Sequence, residues 1–174
     1  MYGVFPYFVA KILAELPSFI VPPALFTLIT FFGVGFTRDE ENYFTFWAAI
    51  TMSVLAGISF GYMVSSSISN PAIAMQLAPV LIMPLMLVGG FFRNQDDMPL
   101  WMQIFSYAAP FKYIFNIFAR SEFGNSEHEQ AERFLEFLDI ESSIPECFLY
   151  LGIIIFCCLT ISGLMLKFNV SRFQ

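Results

Sequence analysis

Few side chains in this sequence could do chemistry, and their spacing limits what that chemistry would be. In "YFVAKILAELP" (Tyr7 to Pro17), Lys11 and Glu15 stand four apart. On a helix that spacing puts both on one face, available to charged partners. The plainer reading is an interfacial helix whose lysine snorkels to headgroups. Of the cysteines, Cys157 and Cys158 adjoin within an apolar run, where a thiol behaves as a small hydrophobe. Cys147, at the start of that run, could cross-link to a partner chain, although packing is the leading reading. No CxxC or Cys/His spacing suggests a metal. The single histidine, His128, lies in "NSEHEQAERFLEFLDIESS", where solvation outweighs catalysis. No nucleophile stands beside a base, so the chain itself is not expected to be an enzyme or to hold a cofactor.

The elements that must position these residues are set by composition. The chain has 174 residues, 57% hydrophobic and 18% aromatic, with only 13% charged, against about a quarter in soluble domains. Ser18 to Phe36, Asn42 to Phe92 and Cys147 to Leu166 carry no charge at all. About 20 apolar residues cross the ~30 Å hydrocarbon core as a helix. The middle run is long enough for two crossings, divided by the turn chemistry of "SSSISNP" (Ser65 to Pro71). The spacing predicts an all-α membrane protein with spans at 18–36, 43–63, 72–92 and 147–166. An amphipathic helix at 1–17 precedes them, and a tail at 167–174 follows.

The net charge of −6 sits almost entirely between the spans. Nothing resembles a basic patch, so nucleic acid is a disfavoured partner. The absence of Asp, Glu, Lys, Arg and His from all four runs counts against a proton-coupled carrier or a charged-ring channel. Four spans put both ends on one side. Basic residues flank the spans about evenly, so the positive-inside rule barely decides which side; cytoplasmic termini are expected. The sequon Asn169-Val-Ser171 then lies on the cytoplasmic side, unused.

The segment 93–146 is more than a loop. "MPLWMQIFSYAAPFKYIFNIFARSEF" (Met98 to Phe123) is aromatic and broken at Pro99 and Pro110, which suits a re-entrant or extracellular helical segment. Trp101, Tyr107 and Tyr113 suit headgroup level. Beyond Gly124, Phe134, Phe137 and Leu138 give a short exposed helix. In the third span, Pro79 and Pro84 should kink or break the helix, and Gly89 and Gly90 should loosen its end. Such prolines are ordinary in membrane helices. Interrupted helices also recur where transporters bind substrate.

Taken together, these residues resemble the membrane domain (ABC-2 type) of the G-subfamily ATP-binding cassette transporters, the white/eye-pigment type. That family's amphipathic segment "YF-x-x-K-x-x-x-E-x-P" stands here as Tyr7, Phe8, Lys11, Glu15 and Pro17. A second match runs from Gly89 to Phe123, "GGFFRNQDDMPLWMQIFSYAAPFKYIFNIFARSEF". Its family-like positions are Trp101, Ser106, Tyr107, Pro110, Phe111, Lys112, Tyr113, Glu122 and Phe123. The resemblance covers essentially the whole chain but only part of a family protein. The spans correspond to the third through sixth of that protein, which implies a truncated, C-terminal part. The nucleotide-binding domain, with its ATP and Mg²⁺, has no counterpart, and no G-x-x-x-x-G-K-[ST] loop occurs.

The resemblance also implies roles. The first segment, with Lys11 and Glu15, would be a coupling helix against the nucleotide-binding domain in cis, which makes cytoplasmic termini firmer. A second half-transporter, the same or different, would complete a dimer in the plasma membrane or an intracellular membrane. A hydrophobic or lipid-like substrate would sit against the third span. Met83 and Met86, three apart and near one face, would line the cavity, and methionine repacks readily around varied apolar ligands. Phe91 and Phe92 would form the gate above it, or else pack against lipid. The alternative from another class is a non-transporting four-span scaffold or assembly protein.

Overall fold

An uncharged stretch in a bilayer can pair its backbone N–H and C=O groups within itself only as an α-helix. A computed structural model describes residues 4–34, 40–68, 70–89, 99–123 and 142–172, and every regular element among them is helical. In chain order these are α1 (Val4–Val34), α2 (Glu40–Ser67), α3 (Pro71–Val88), α4 (Leu100–Ala108), α5 (Pro110–Phe123) and α6 (Ile144–Arg172). Four helices are long and apolar enough to cross a membrane: Pro6–Gly33, Asn42–Ser67, Pro71–Val88 and Ile144–Phe168.

Helices α1, α2 and α6 begin ahead of the expected spans, and α3 begins one residue ahead of its own. Pro17 does not close an amphipathic helix: α1 runs through Pro17, Pro22 and Pro23 without interruption. Each proline removes one N–H donor, but a break in apolar surroundings would leave several backbone groups unpaired, so the helix continues. Likewise α3 stays one helix through Pro79 and Pro84, with no break at either. Its start is capped, as Asn70 accepts a hydrogen bond from the Ala72 N–H (3.0 Å) and Pro71 fills a first-turn position. The last span starts three residues ahead of Cys147 because Glu146 accepts from the Ser143 N–H (3.0 Å). That is the reciprocal half of a capping box.

Pro99 and Pro110 do act as breaks. Pro99 caps α4, and Pro110 opens α5 after the single extended residue Ala109. At nine and 14 residues, neither α4 nor α5 reaches the length of a crossing. The exposed helix expected beyond Gly124 lies outside the described residues.

The core lies where α2, α5 and α6 meet. Ala49 and Ala56 present a small-residue face seven apart, against which Tyr113, Ile117, Cys147 and Leu151 are buried. Cys147 is fully buried, which removes the cross-link to a partner chain. Tyr113 is only 4% exposed, so its ring packs in the core and does not face lipid. It stacks on Tyr150 at 5.3 Å and donates its hydroxyl hydrogen to the Tyr107 carbonyl oxygen (2.9 Å). Tyr107 itself is exposed, and the Trp101 side chain lies outside the described residues. Helix α1 leans on α2 through Phe31, whose ring meets Tyr43 edge-on at 5.3 Å.

A cavity at the centre of this core should be expensive. Ile117 is fully buried on α5, and Ile→Ala at such sites costs ~2–5 kcal/mol. Ile117→Ala is expected to lower folded yield and thermal midpoint in detergent. The exposed Ile73→Ala on α3 should change neither in the detergent-solubilised single chain.

Candidate functional site

Two places carry the residues singled out by sequence. The first is a polar contact between the opening of α1 and the far end of α2. Lys11 and Glu15 share a face of α1, and both meet Tyr62 of α2. The Tyr62 hydroxyl donates a hydrogen bond to Glu15 Oε2, and Lys11 Nζ stands 5.4 Å from the centre of the Tyr62 ring. Phe8, one turn earlier, meets the same ring edge-on at 5.9 Å. The Ser162 hydroxyl of α6 donates to the Tyr62 carbonyl oxygen (3.0 Å). One tyrosine thus ties three membrane-length helices together. Of the expected pair, Lys11 is exposed, while Glu15 is half-buried with its carboxylate engaged inside the chain.

A charge-assisted hydrogen bond is about twice as strong as a neutral one. A cation over an aromatic face adds ~0.5–2 kcal/mol, depending on desolvation. The contact is therefore a firm mechanical joint at the α1 end. Sequence reasoning missed Tyr62 and Ser162 because their own neighbourhoods carry no charged residue. Only the register between helices brings them to Lys11 and Glu15.

The second place is α3. Met83 and Met86 are 64% and 44% exposed. Val80, Leu81 and Leu87 around them are exposed as well. Within the chain α3 touches α2, α4 and α5, yet Val88 is its one buried side chain among the described residues. Pro79 and Pro84 lie on its exposed surface. Gly90, Phe91 and Phe92, and with them the expected gate, lie outside the described residues.

Gly89 caps the end of α3 and also makes a close approach possible. Its φ of −67° and ψ of 7° suit any residue. What demands glycine is space, because a Cβ there would stand 2.8 Å from Phe111 Cβ and 3.3 Å from the Lys112 nitrogen. Helix α3 is thereby seated on the first turn of α5. Lys112 in that turn is buried, with Nζ 4.2 Å from the centre of the Tyr107 ring. Burial, with Tyr150 alongside, pushes the Tyr113 hydroxyl above its ordinary pKa.

A third feature was not anticipated. A cavity of about 430 Å³ lies between α1, α2 and α5, walled by Phe26, Phe46, Ile50 and Phe118 with Glu122 at its edge. Phe46 and Phe118 meet at 5.0 Å and form one side of it. Among the described residues no group of three or more His, Cys, Asp or Glu side chains could hold a metal ion.

A family model described as ABC-2 type transporter matches residues 1–123. Protein white of Ceratitis capitata is 37% identical over 107 residues, 62% of this chain and 16% of that protein. The Caenorhabditis elegans ABC transporter ATP-binding protein/permease wht-1 is 31% identical over 149 residues, covering 85% of the chain and 20% of the relative. ABC transporter G family member 41 of Oryza sativa subsp. japonica is 25% identical over 148 residues, covering 85% of the chain and 10% of the relative. The chain therefore spans a fifth or less of the length of these relatives.

Proposed function

Because the chain belongs to the ABC-2 type transporter family, among the white-type members of its G subfamily, we propose that it works as the moving membrane part of an ATP-driven half-transporter. It is an integral multi-pass membrane protein. In the proposed cycle, a nucleotide-binding domain in cis binds ATP and Mg²⁺. Two half-transporters form the dimer, with all chain ends on the cytoplasmic side and α4 and α5 re-entering from the opposite one. Hydrophobic or lipid-like molecules are the exported substrates.

The observation that carries this reading is the contrast between α3 and the helices of the core. Helices α2, α5 and α6 bury a shared core, while α3 leaves Met83, Met86 and Leu87 open. A helix so little covered by its own chain is suited to face a second half-transporter and the molecule held between them. Flexible methionines fit a cavity that accepts varied apolar ligands. Lys11 and Glu15 would receive motion at the start of α1 and pass it through Tyr62 to α2 and, through Ser162, to α6. Phe91 and Phe92, just past the Gly89 seat, would close the cavity toward the exit.

The dimer face is directly testable. In the complete transporter, Met83→Cys or Met86→Cys should give a disulfide-linked dimer on mild oxidation, and added nucleotide should change its yield. Leu149→Cys, exposed on α6, should not cross-link. Efficient cross-linking at Leu149 and none at Met83 or Met86 would move the dimer face to α6 and remove this reading of α3.

A further inference from the structure

Helices α4 and α5 meet at one extended residue, Ala109, and the contacts across that corner converge on Tyr107. Its carbonyl oxygen accepts from the Tyr113 hydroxyl (2.9 Å). The centre of its ring lies 4.2 Å from Lys112 Nζ. The two partners differ in exposure: Tyr107 is 62% exposed, whereas Lys112 is only 6%. A lysine so buried is rare and needs its charge compensated; here an outer ring lies across an inner ammonium. Such a contact strengthens as water is excluded from it. The same first turn of α5 receives α3, since the Lys112 nitrogen stands 3.3 Å from where a Gly89 Cβ would be. Helix α3 touches α4 as well as α5, so its position depends on the angle between the two.

We propose that Lys112 is a positioning residue for α3: clasped under the Tyr107 ring, its ammonium sets the angle of α4 against α5, and with it the Gly89 end of the helix that faces substrate. Only the last step rests on the proposed reading of α3; the clasp itself does not. The bond from Tyr113 is received by a backbone oxygen, so it survives any side chain at position 107. It fixes one point, about which α4 can still turn. The contact between ring and ammonium supplies a second point, and two points set an angle. A ring as exposed as Tyr107 contributes little to a core, so its loss would ordinarily change stability only slightly. The clasp gives it a larger effect, felt at α4 and at the end of α3.

Amide hydrogen exchange and ATP turnover of the complete transporter test it together. Tyr107→Leu should speed exchange in α4 and in the last turn of α3 about tenfold, the factor equal to ~1.4 kcal/mol. Tyr107→Phe keeps the ring and should match wild type. Phe105→Leu removes a comparably exposed ring from the same helix (58%) and should match it too. In a Lys112→Gln background, Tyr107→Leu should add nothing, as expected for two halves of one contact. The loosened α3 should lower kcat for ATP about threefold at unchanged KM, because the proposed ATP site lies in another domain. Unchanged exchange in Tyr107→Leu, or an equal gain in Phe105→Leu, would overturn the clasp. Faster exchange with kcat intact would overturn the positioning role. Absence of ATP turnover in the unsubstituted transporter would remove the transport reading and the positioning role with it, while the exchange rates would still decide the clasp.

Discussion

Gly89→Ala is expected to weaken the protein more than any other single-methyl change on the described helices. The added carbon would meet Phe111 Cβ at 2.8 Å and two backbone atoms at 3.3 Å. None of these is the far end of a flexible side chain, so α3 or α5 must move. Overpacking of this kind costs ~1–3 kcal/mol. In the complete protein this should appear as reduced surface abundance and an earlier thermal midpoint in detergent. Gly57→Ala is the matched control. Nothing stands within 4 Å of its missing Cβ, and alanine in a helix interior is worth up to ~1 kcal/mol over glycine. It should be neutral or stabilising. Melting curves that coincide for Gly89→Ala and wild type would show that α3 is not seated on α5.

The second large effect is expected at the α1–α2 joint. Glu15→Ala leaves the half-buried Tyr62 hydroxyl without its acceptor, and losing one such partly solvated hydrogen bond costs ~0.5–1.5 kcal/mol. Charge reversal, Glu15→Lys, should be worse, because it sets a second cation one turn from Lys11 above the same ring. If the joint relays motion, coupling of ~0.5–2 kcal/mol is at stake. That corresponds to roughly a 2–30-fold loss of ATP turnover in the complete transporter. Surface abundance should fall much less, since the core at Ala49, Ala56, Ile117 and Leu151 lies among other residues. Lys11→Gln should give a smaller loss than Glu15→Ala, because an exposed cation over a ring contributes only ~0.5–1 kcal/mol.

The existence of the four spans was legible in sequence because it depends on length and composition alone, and Pro99 and Pro110 were legible because proline restricts its own backbone. The stop expected at Pro17 and the break allowed for at Pro79 and Pro84 are absent for a physical reason. The proline penalty is measured against a helix that water can replace, and a membrane segment has no such replacement. Contacts between helices were not legible. Tyr113 has the composition of an interfacial ring, and only its placement beside Tyr150 and Cys147 makes it core. Gly89 looked like a loose helix end because nothing local announces that Phe111 passes 2.8 Å from its absent side chain. The shared face of Lys11 and Glu15 was legible from their four-residue spacing. Tyr62 lies 47 residues beyond Glu15, and Ser162 another 100 beyond Tyr62; both required the helix register.

The central claim is that Lys11, Glu15 and Tyr62 carry motion into the membrane helices, and a double-mutant cycle on ATP turnover tests it most directly. The complete transporter and its Glu15→Gln, Tyr62→Phe and doubly substituted forms would be reconstituted in the same lipid and normalised to protein inserted. Each single change should reduce turnover, and the double change should reduce it no further than the more severe single change, as expected for two ends of one hydrogen bond. Wild-type turnover in all three variants, or losses that simply multiply, would contradict the claim.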